Sequence, residues 1–131
     1  METALSPIPP GILSHALWAI GAVALYAAIQ HLALALRGGE RVLHVSFALM
    51  ALAVAVNLPV SAYAYQAVSI PNLVLALKVM NTSAGAFSLG LLWFIPAYAG
   101  HEPRGFKIPM AILFLFLMAL IWARPMDGRS P

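Results

Sequence analysis

The residues of this chain that could do chemistry inside a membrane centre on Lys78, which lies in the long apolar run 72–98. All four acidic residues lie outside the apolar runs, so Lys78 has no acidic partner at its own depth. An ionisable residue within a membrane segment is a candidate functional site, because its charge is costly there. Lys78 is therefore a candidate site for the carboxylate of an amphipathic ligand. The structural alternative is that the side chain snorkels and its ammonium reaches the lipid headgroups.

Polar side chains on two neighbouring runs are predicted to surround Lys78. Lys78 lies about 10 Å into its helix, and Asn57 lies at a similar depth, about 12 Å below the end of the preceding one. Pro59 is expected to bend that preceding helix and to free a main-chain carbonyl near Ala55. We predict a ligand pocket beside the bend, and its candidate residues are Asn57, Ser61, Lys78, Asn81 and Thr82.

His31 and His44 form the second candidate site, because they flank the short basic loop 37–41. On two antiparallel helices joined by so short a loop, they lie at similar depths and can meet. Two facing imidazoles could ligate haem or a divalent metal. The short loop argues against haem, since it holds the helices too close for a porphyrin, and a metal would need a third ligand. The two histidines are the candidates for coupling the helices near this end without a cofactor. The structural alternative is that each imidazole bonds a backbone or loop group near the interface.

The chain lacks the residues that several classes of function require. It has no cysteine, which excludes disulfides, thiolate chemistry and Cys-ligated metals. It has no hydrolase, metalloprotease or phosphate-loop motif. No carboxylate lies inside an apolar run, which disfavours a proton or ion transporter. The chain also lacks a stripe of basic residues with interleaved aromatic residues, which would indicate nucleic-acid binding. We predict that the chain is not an enzyme and binds no nucleic acid.

The elements that position these residues are four apolar runs. The 131 residues are 63% hydrophobic and 8% charged, whereas soluble domains carry about 25% charged residues. The longest run would form a helix of about 40 Å, enough to cross a hydrocarbon core of about 30 Å. We predict an all-α fold, a single integral-membrane four-helix bundle with short loops. The predicted helices cover residues 11–36, 42–65, 72–98 and 108–122.

The third run is predicted to be the centre of this bundle. It contains polar and small residues that a lipid-facing helix does not need, and small residues allow helices to approach closely. Gly85, Ser88 and Gly90 form its predicted packing face, and Gly21 belongs to a similar face on the first helix. We expect these faces to pack within the chain, with a homodimer as the alternative.

Basic residues predict the orientation of the chain. Arg37 and Arg41 lie in the loop after the first helix, and Arg104 and Lys107 lie in the loop after the third. The N-terminal lead and the loop after the second helix contain neither Lys nor Arg. By the positive-inside rule, both basic loops are cytoplasmic and both chain ends are on the other side.

Four fragments together resemble a known family. They are Tyr26-Ala-Ala-Ile-Gln-His31, His44-Val-Ser-Phe47-Ala48, Trp93-Phe94-x-x-x-Tyr98-Ala-Gly100 and Pro125-Met-Asp-Gly128. The resemblance as a whole covers residues 12–128. In order and spacing they are similar to the N-terminal multi-helix membrane input domain of bacterial histidine kinases and diguanylate cyclases. The resemblance implies a sensor of membrane or envelope signals. The chain departs from that pattern at Gln30, where a second histidine is expected, and at 78–81, where an aromatic residue and a glutamine are expected.

We predict a sensory or regulatory input module of the bacterial inner membrane, in which a ligand or the membrane state shifts helix packing around the third helix. Its predicted partners are the lipid bilayer, an amphipathic or anionic small molecule, and a second copy or a larger complex. The alternatives are a small accessory or structural subunit of a larger membrane complex and a haem-binding electron-transfer protein. With both ends outside, a kinase or cyclase would follow only after further helices; otherwise the chain is a stand-alone relative.

Overall fold

Four helices account for most of the chain that a computed structural model describes, residues 10–100 and 104–124. They are α1 (Pro10–Leu36), α2 (Arg41–Tyr65), α3 (Ile70–Tyr98) and α4 (Arg104–Ala123). All four are long and apolar enough to cross a membrane, which confirms the predicted all-α bundle. The N-terminal lead, Glu102 and the predicted 125–128 motif lie outside the described residues.

The start of α4 differs most from the predicted boundaries. The helix begins at Arg104 rather than at residue 108, and its first turns include Gly105, Lys107 and Pro109. The prediction assigned this stretch to a loop because it is polar. Main-chain hydrogen bonds form whether side chains meet lipid or water, so a helix can continue beyond the edge of the hydrocarbon core.

Two glycines close the turn between α1 and α2. Gly38 and Gly39 have φ angles of 89° and 103°, in a region that residues with a Cβ atom rarely adopt. At the next turn, the Ser69 side chain accepts a hydrogen bond from the Asn72 amide (3.4 Å) and caps α3. Both turns are short, so consecutive helices are antiparallel.

The helices pack in the order of the chain. Among the described residues, α1 contacts α2, α2 contacts α3, and α3 contacts α4 much more sparsely. The interpretation of α3 as the helix that all others surround is therefore wrong for α1, which packs on α2 alone. The bundle is an open row with α1 and α4 at its outer positions.

The row has two distinct ends. The terminal end holds the beginning of α1, the 66–69 turn and Arg124; there the Gln66 side chain donates to Ser14 Oγ (3.2 Å). The basic end holds the 37–40 turn and the beginning of α4. Both described ends of the chain thus lie at the same end of the bundle, as the predicted topology requires, while the side of the membrane they face stays a prediction.

Small residues allow the helices to approach one another. Within residues 10–100 and 104–124, six of the seven buried apolar residues are alanines, which fits close packing between membrane helices. Gly90 of α3 lies against Met50 and the Ser46 carbonyl of α2, and a Cβ atom at Gly21 of α1 would come within 3.0 Å of Pro59 Cδ.

The predicted packing face of α3 is wrong as a single face. Gly90 is buried against α2, whereas Gly85 accommodates the Phe114 ring of α4. Ser88 is exposed and its hydroxyl donates to the Ala84 carbonyl of its own helix (3.0 Å). Residues 85 and 90 are about 140° apart around a helix, so they contact different neighbours.

Candidate functional site

Lys78 is buried between α3 and the end of α4. The residue is 6% exposed, and its ammonium donates a hydrogen bond to the main-chain carbonyl of Arg124 (Nζ–O 2.6 Å). The Trp122 ring lies beside it, with 5.7 Å between Nζ and the ring centroid. The ammonium is thus bonded within the bundle, which differs from the snorkelling alternative.

The bond between Lys78 and Arg124 is electrostatically favourable because α4 ends there. The last carbonyls of a helix have no partner within it, and they carry partial negative charge from the helix dipole. A buried ammonium therefore both satisfies a carbonyl and gains a neutralising contact. No acidic side chain takes part in the described bonding of Lys78.

Thr82 fixes the position of Trp122. Its hydroxyl accepts a hydrogen bond from Trp122 Nε1 (3.0 Å) and donates one to the Lys78 carbonyl (2.8 Å). The indole ring is thereby held near the ammonium, at a separation that permits a cation–π contact. Sequence reasoning identified Thr82 but missed Trp122, whose place near the end of an apolar run is also typical of an interfacial aromatic residue.

A groove of about 730 Å³ adjoins the ammonium; we call it the Lys78 groove. Its walls are aliphatic residues of α3 and α4, and its polar lining comes from Lys78, Asn81 and Arg124. An ammonium has three N–H donors, of which one bonds the Arg124 carbonyl. The groove therefore offers an aliphatic wall beside two cationic side chains, an arrangement suited to an amphipathic anion.

Asn57 and Ser61 lie away from the Lys78 groove, so the predicted convergence of the five polar residues is wrong. Asn57 Nδ2 donates to Ser83 Oγ (2.8 Å) and to the Met80 carbonyl (3.1 Å), and Ser61 Oγ donates to the Asn57 carbonyl (2.8 Å). Lys78 and Ser83 are about 140° apart around α3. The prediction compared only the depths of Asn57 and Lys78 below the membrane surface. Equal depth does not determine which face of its helix each residue occupies.

The structure brings His31 and His44 together at the basic end, as the register of the α1–α2 hairpin predicts. Their Nδ1 atoms are 3.1 Å apart, so one imidazole donates and the other accepts. If the two imidazoles ligated one iron from opposite sides, each metal–nitrogen bond would measure about 2.0 Å. The two nitrogens would then lie about 4 Å apart. Haem between these two residues would therefore require α1 and α2 to separate.

An aromatic series continues from the histidine pair into α3. The ring centroids of His31 and Phe47 are 4.0 Å apart, those of Phe47 and Phe94 are 6.2 Å apart, and Phe94 stacks on Tyr98 at 5.9 Å. These rings connect α1, α2 and α3 at one level, which is the geometry that helix coupling needs. No three His, Asp or Glu side chains cluster as metal ligands within the described part of the chain.

Comparison of the chain with known protein families, with curated proteins and with solved structures finds no match.

Proposed function

We propose that this protein is a sensory or regulatory input module of the bacterial inner membrane. In this proposal α4 moves relative to a unit formed by α1, α2 and α3 when a membrane or envelope signal changes. The observation that supports it is the slight attachment of α4. None of its residues 105–123 is buried, and the side-chain hydrogen bonds that join it to α3 in the described structure are those of Lys78 and Trp122, both at its carboxyl end.

The proposed signal at this site is an amphipathic anion in the Lys78 groove. A full negative charge attracts the ammonium more strongly than a carbonyl at a helix end, which shares about half a charge. An anion bound to Lys78 would therefore compete with the Arg124 carbonyl and weaken the attachment of α4. The ligand shifts the equilibrium only by the difference in its affinity for the two arrangements.

The experiment measures spin-label distances in lipid nanodiscs. The chain has no cysteine, so the pair Leu91→Cys and Ile112→Cys reports on α3 and α4 alone. The matched pair Ile20→Cys and Tyr63→Cys reports on α1 and α2. Each pair is measured without ligand, with a long-chain fatty acid, and with its uncharged methyl ester.

We expect the α3–α4 distance distribution to be broader than the α1–α2 distribution and to shift with the fatty acid but not with the ester. Lys78→Met should remove the shift. If both pairs give equally narrow distributions that no ligand and no Lys78 substitution changes, α4 is rigidly attached and the proposal fails. The accessory-subunit alternative would then be the better one, and co-purification of a stable partner would be the next observation to seek.

A further inference from the structure

A second groove lies at the basic end, between α2 and α3; we call it the Arg41 groove. It encloses about 470 Å³ and is lined almost entirely by apolar atoms. Its walls include Val45 and Leu49 of α2 and Trp93 of α3, and Arg41 lies at its mouth. It shares no residue with the Lys78 groove.

Two small residues, Gly90 and Ser46, are part of the lining of this groove. Gly90 has no side chain, and its backbone approaches the Ser46 carbonyl. The Ser46 hydroxyl donates to the Val42 carbonyl (2.7 Å), so it offers no free donor to the groove. Leu49 and Trp93 contribute larger side chains to the lining. The result is an apolar channel whose only charged lining residue is Arg41.

The apolar lining on the same faces of α2 and α3 continues towards the terminal end. Leu49 also lines a second apolar groove of about 230 Å³, which passes Val56 of α2 and is bordered by Trp122 of α4. From Arg41 to Val56 the path measures about 22 Å along the helix. A single leaflet of hydrocarbon is about 15 Å deep. The path is therefore longer than one leaflet is deep, so a lipid chain that enters at Arg41 can lie in it over the full depth of the near leaflet.

The positive charge of Arg41 at the opening of the Arg41 groove favours a lipid with a negatively charged headgroup. Arg41 is exposed at the first turn of α2, and the basic end also carries Arg37 and Lys107 against one described acid, Glu40. An arginine can hold a phosphate through two hydrogen bonds, and basic pockets between membrane helices bind anionic headgroups. We propose that the Arg41 groove binds one acyl chain of a phospholipid with a net negative headgroup, with the phosphate at Arg41.

The path also leads to the attachment of α4. The far part of the path is bordered by Trp122, the residue whose indole bonds Thr82. Lipid in that part of the path would thus contact the indole. The headgroup end of the site does not depend on the proposed movement of α4, because the lining residues of the Arg41 groove belong to α2 and α3.

The experiment uses quenching of tryptophan fluorescence by brominated acyl chains in the full chain with Trp18→Phe. The two tryptophans that remain, Trp93 and Trp122, both border the path. Phosphatidylglycerol and phosphatidylcholine with identical brominated chains are compared. Arg41→Gln tests the headgroup contact, and Arg37→Gln is the matched control, since it removes the same charge from the same end outside the groove. Leu49→Phe fills the groove at a partly exposed position.

We expect phosphatidylglycerol to quench at a concentration about fivefold lower than phosphatidylcholine, as one basic residue near an anionic lipid implies. Arg41→Gln should abolish that preference, Arg37→Gln should keep it, and Leu49→Phe should reduce quenching by both lipids. If the two lipids quench equally in the chain without a groove substitution, the quenching comes only from the lipids that surround the protein. That result overturns the proposal. Equal loss in the two arginine variants, or no effect of Leu49→Phe, overturns it as well.

Discussion

Asn57 shows how a single polar residue holds two membrane helices together. Its amide donates to Ser83 Oγ and to the Met80 carbonyl, both on α3. No water competes for such groups in hydrocarbon. Even so, interhelical hydrogen bonds in membranes contribute only about 0.6–2 kcal/mol, because the separated helices also find partners.

Asn57→Ala is expected to lower the free energy of unfolding by about 1 kcal/mol through loss of these two bonds. The measurement is reversible unfolding in mixed detergent micelles. Asn81→Ala is the matched control, because Asn81 is an exposed residue of α3 that lines the Lys78 groove. An equal loss of stability in the two variants would contradict the assigned role of Asn57.

At the residue scale, the sequence predicts how deep a residue lies in the membrane better than it predicts which residues it contacts. The short α1–α2 loop fixes the register of a hairpin, so the meeting of His31 and His44 could be predicted. The surroundings of Lys78 could not, because two positions at one depth can still face different helices. Its actual partner, the Arg124 carbonyl, is a main-chain atom and leaves no signal in residue type.

At the element scale, the contact between α3 and α4 depends on a missing side chain. A Cβ atom at Gly85 would overlap the Phe114 ring, so the ring occupies the space that glycine leaves. Away from the two hydrogen bonds at its carboxyl end, α4 therefore fits closely against α3 at Gly85. Small residues commonly serve this purpose between membrane helices.

Gly85→Ala is expected to push α4 away from α3 and to cost about 1–3 kcal/mol, the usual range for overpacking. The free energy of unfolding in mixed micelles is again the measurement. Gly105→Ala is the matched control, since a Cβ atom there meets nothing within 4 Å. Adding Phe114→Leu to Gly85→Ala should recover part of the loss; no recovery would mean that the ring is not the obstacle.

The number and type of elements could be predicted because long apolar runs have few alternatives to membrane helices. The beginning of α4 could not, since polarity distinguishes lipid from water but does not distinguish loop from exposed helix. Nor does composition specify which helices are neighbours. The contact of α1 with α2 alone follows from side-chain fit along the hairpin, such as Gly21 beside Pro59.

At the scale of the whole molecule, the two ends of the row differ in charge, and this predicts how the chain crosses the membrane. Val68 lies fully exposed in the turn between α2 and α3, at the terminal end. Glu40 lies exposed in the turn at the basic end. If the basic end is cytoplasmic, a reagent outside the cell reaches Val68 but not Glu40.

In intact cells, a membrane-impermeant maleimide should label Val68→Cys and should leave Glu40→Cys unlabelled until the membrane is permeabilised. The cysteine-free chain is the background for both variants and the control for unspecific labelling. The reverse pattern would show that the loop arginines do not determine the orientation.

The unequal lengths of α3 and α4 have a further consequence for the bilayer. The two helices lie side by side, yet α3 has 29 residues and α4 has 20, a difference of about 13 Å. No single hydrocarbon thickness matches both without tilt or local deformation of the lipid. In a thin membrane α3 must tilt, whereas in a thick one the ends of α4 are drawn inward. Hydrophobic mismatch therefore acts in opposite directions on the two helices, and it does so across the weakest contact in the bundle.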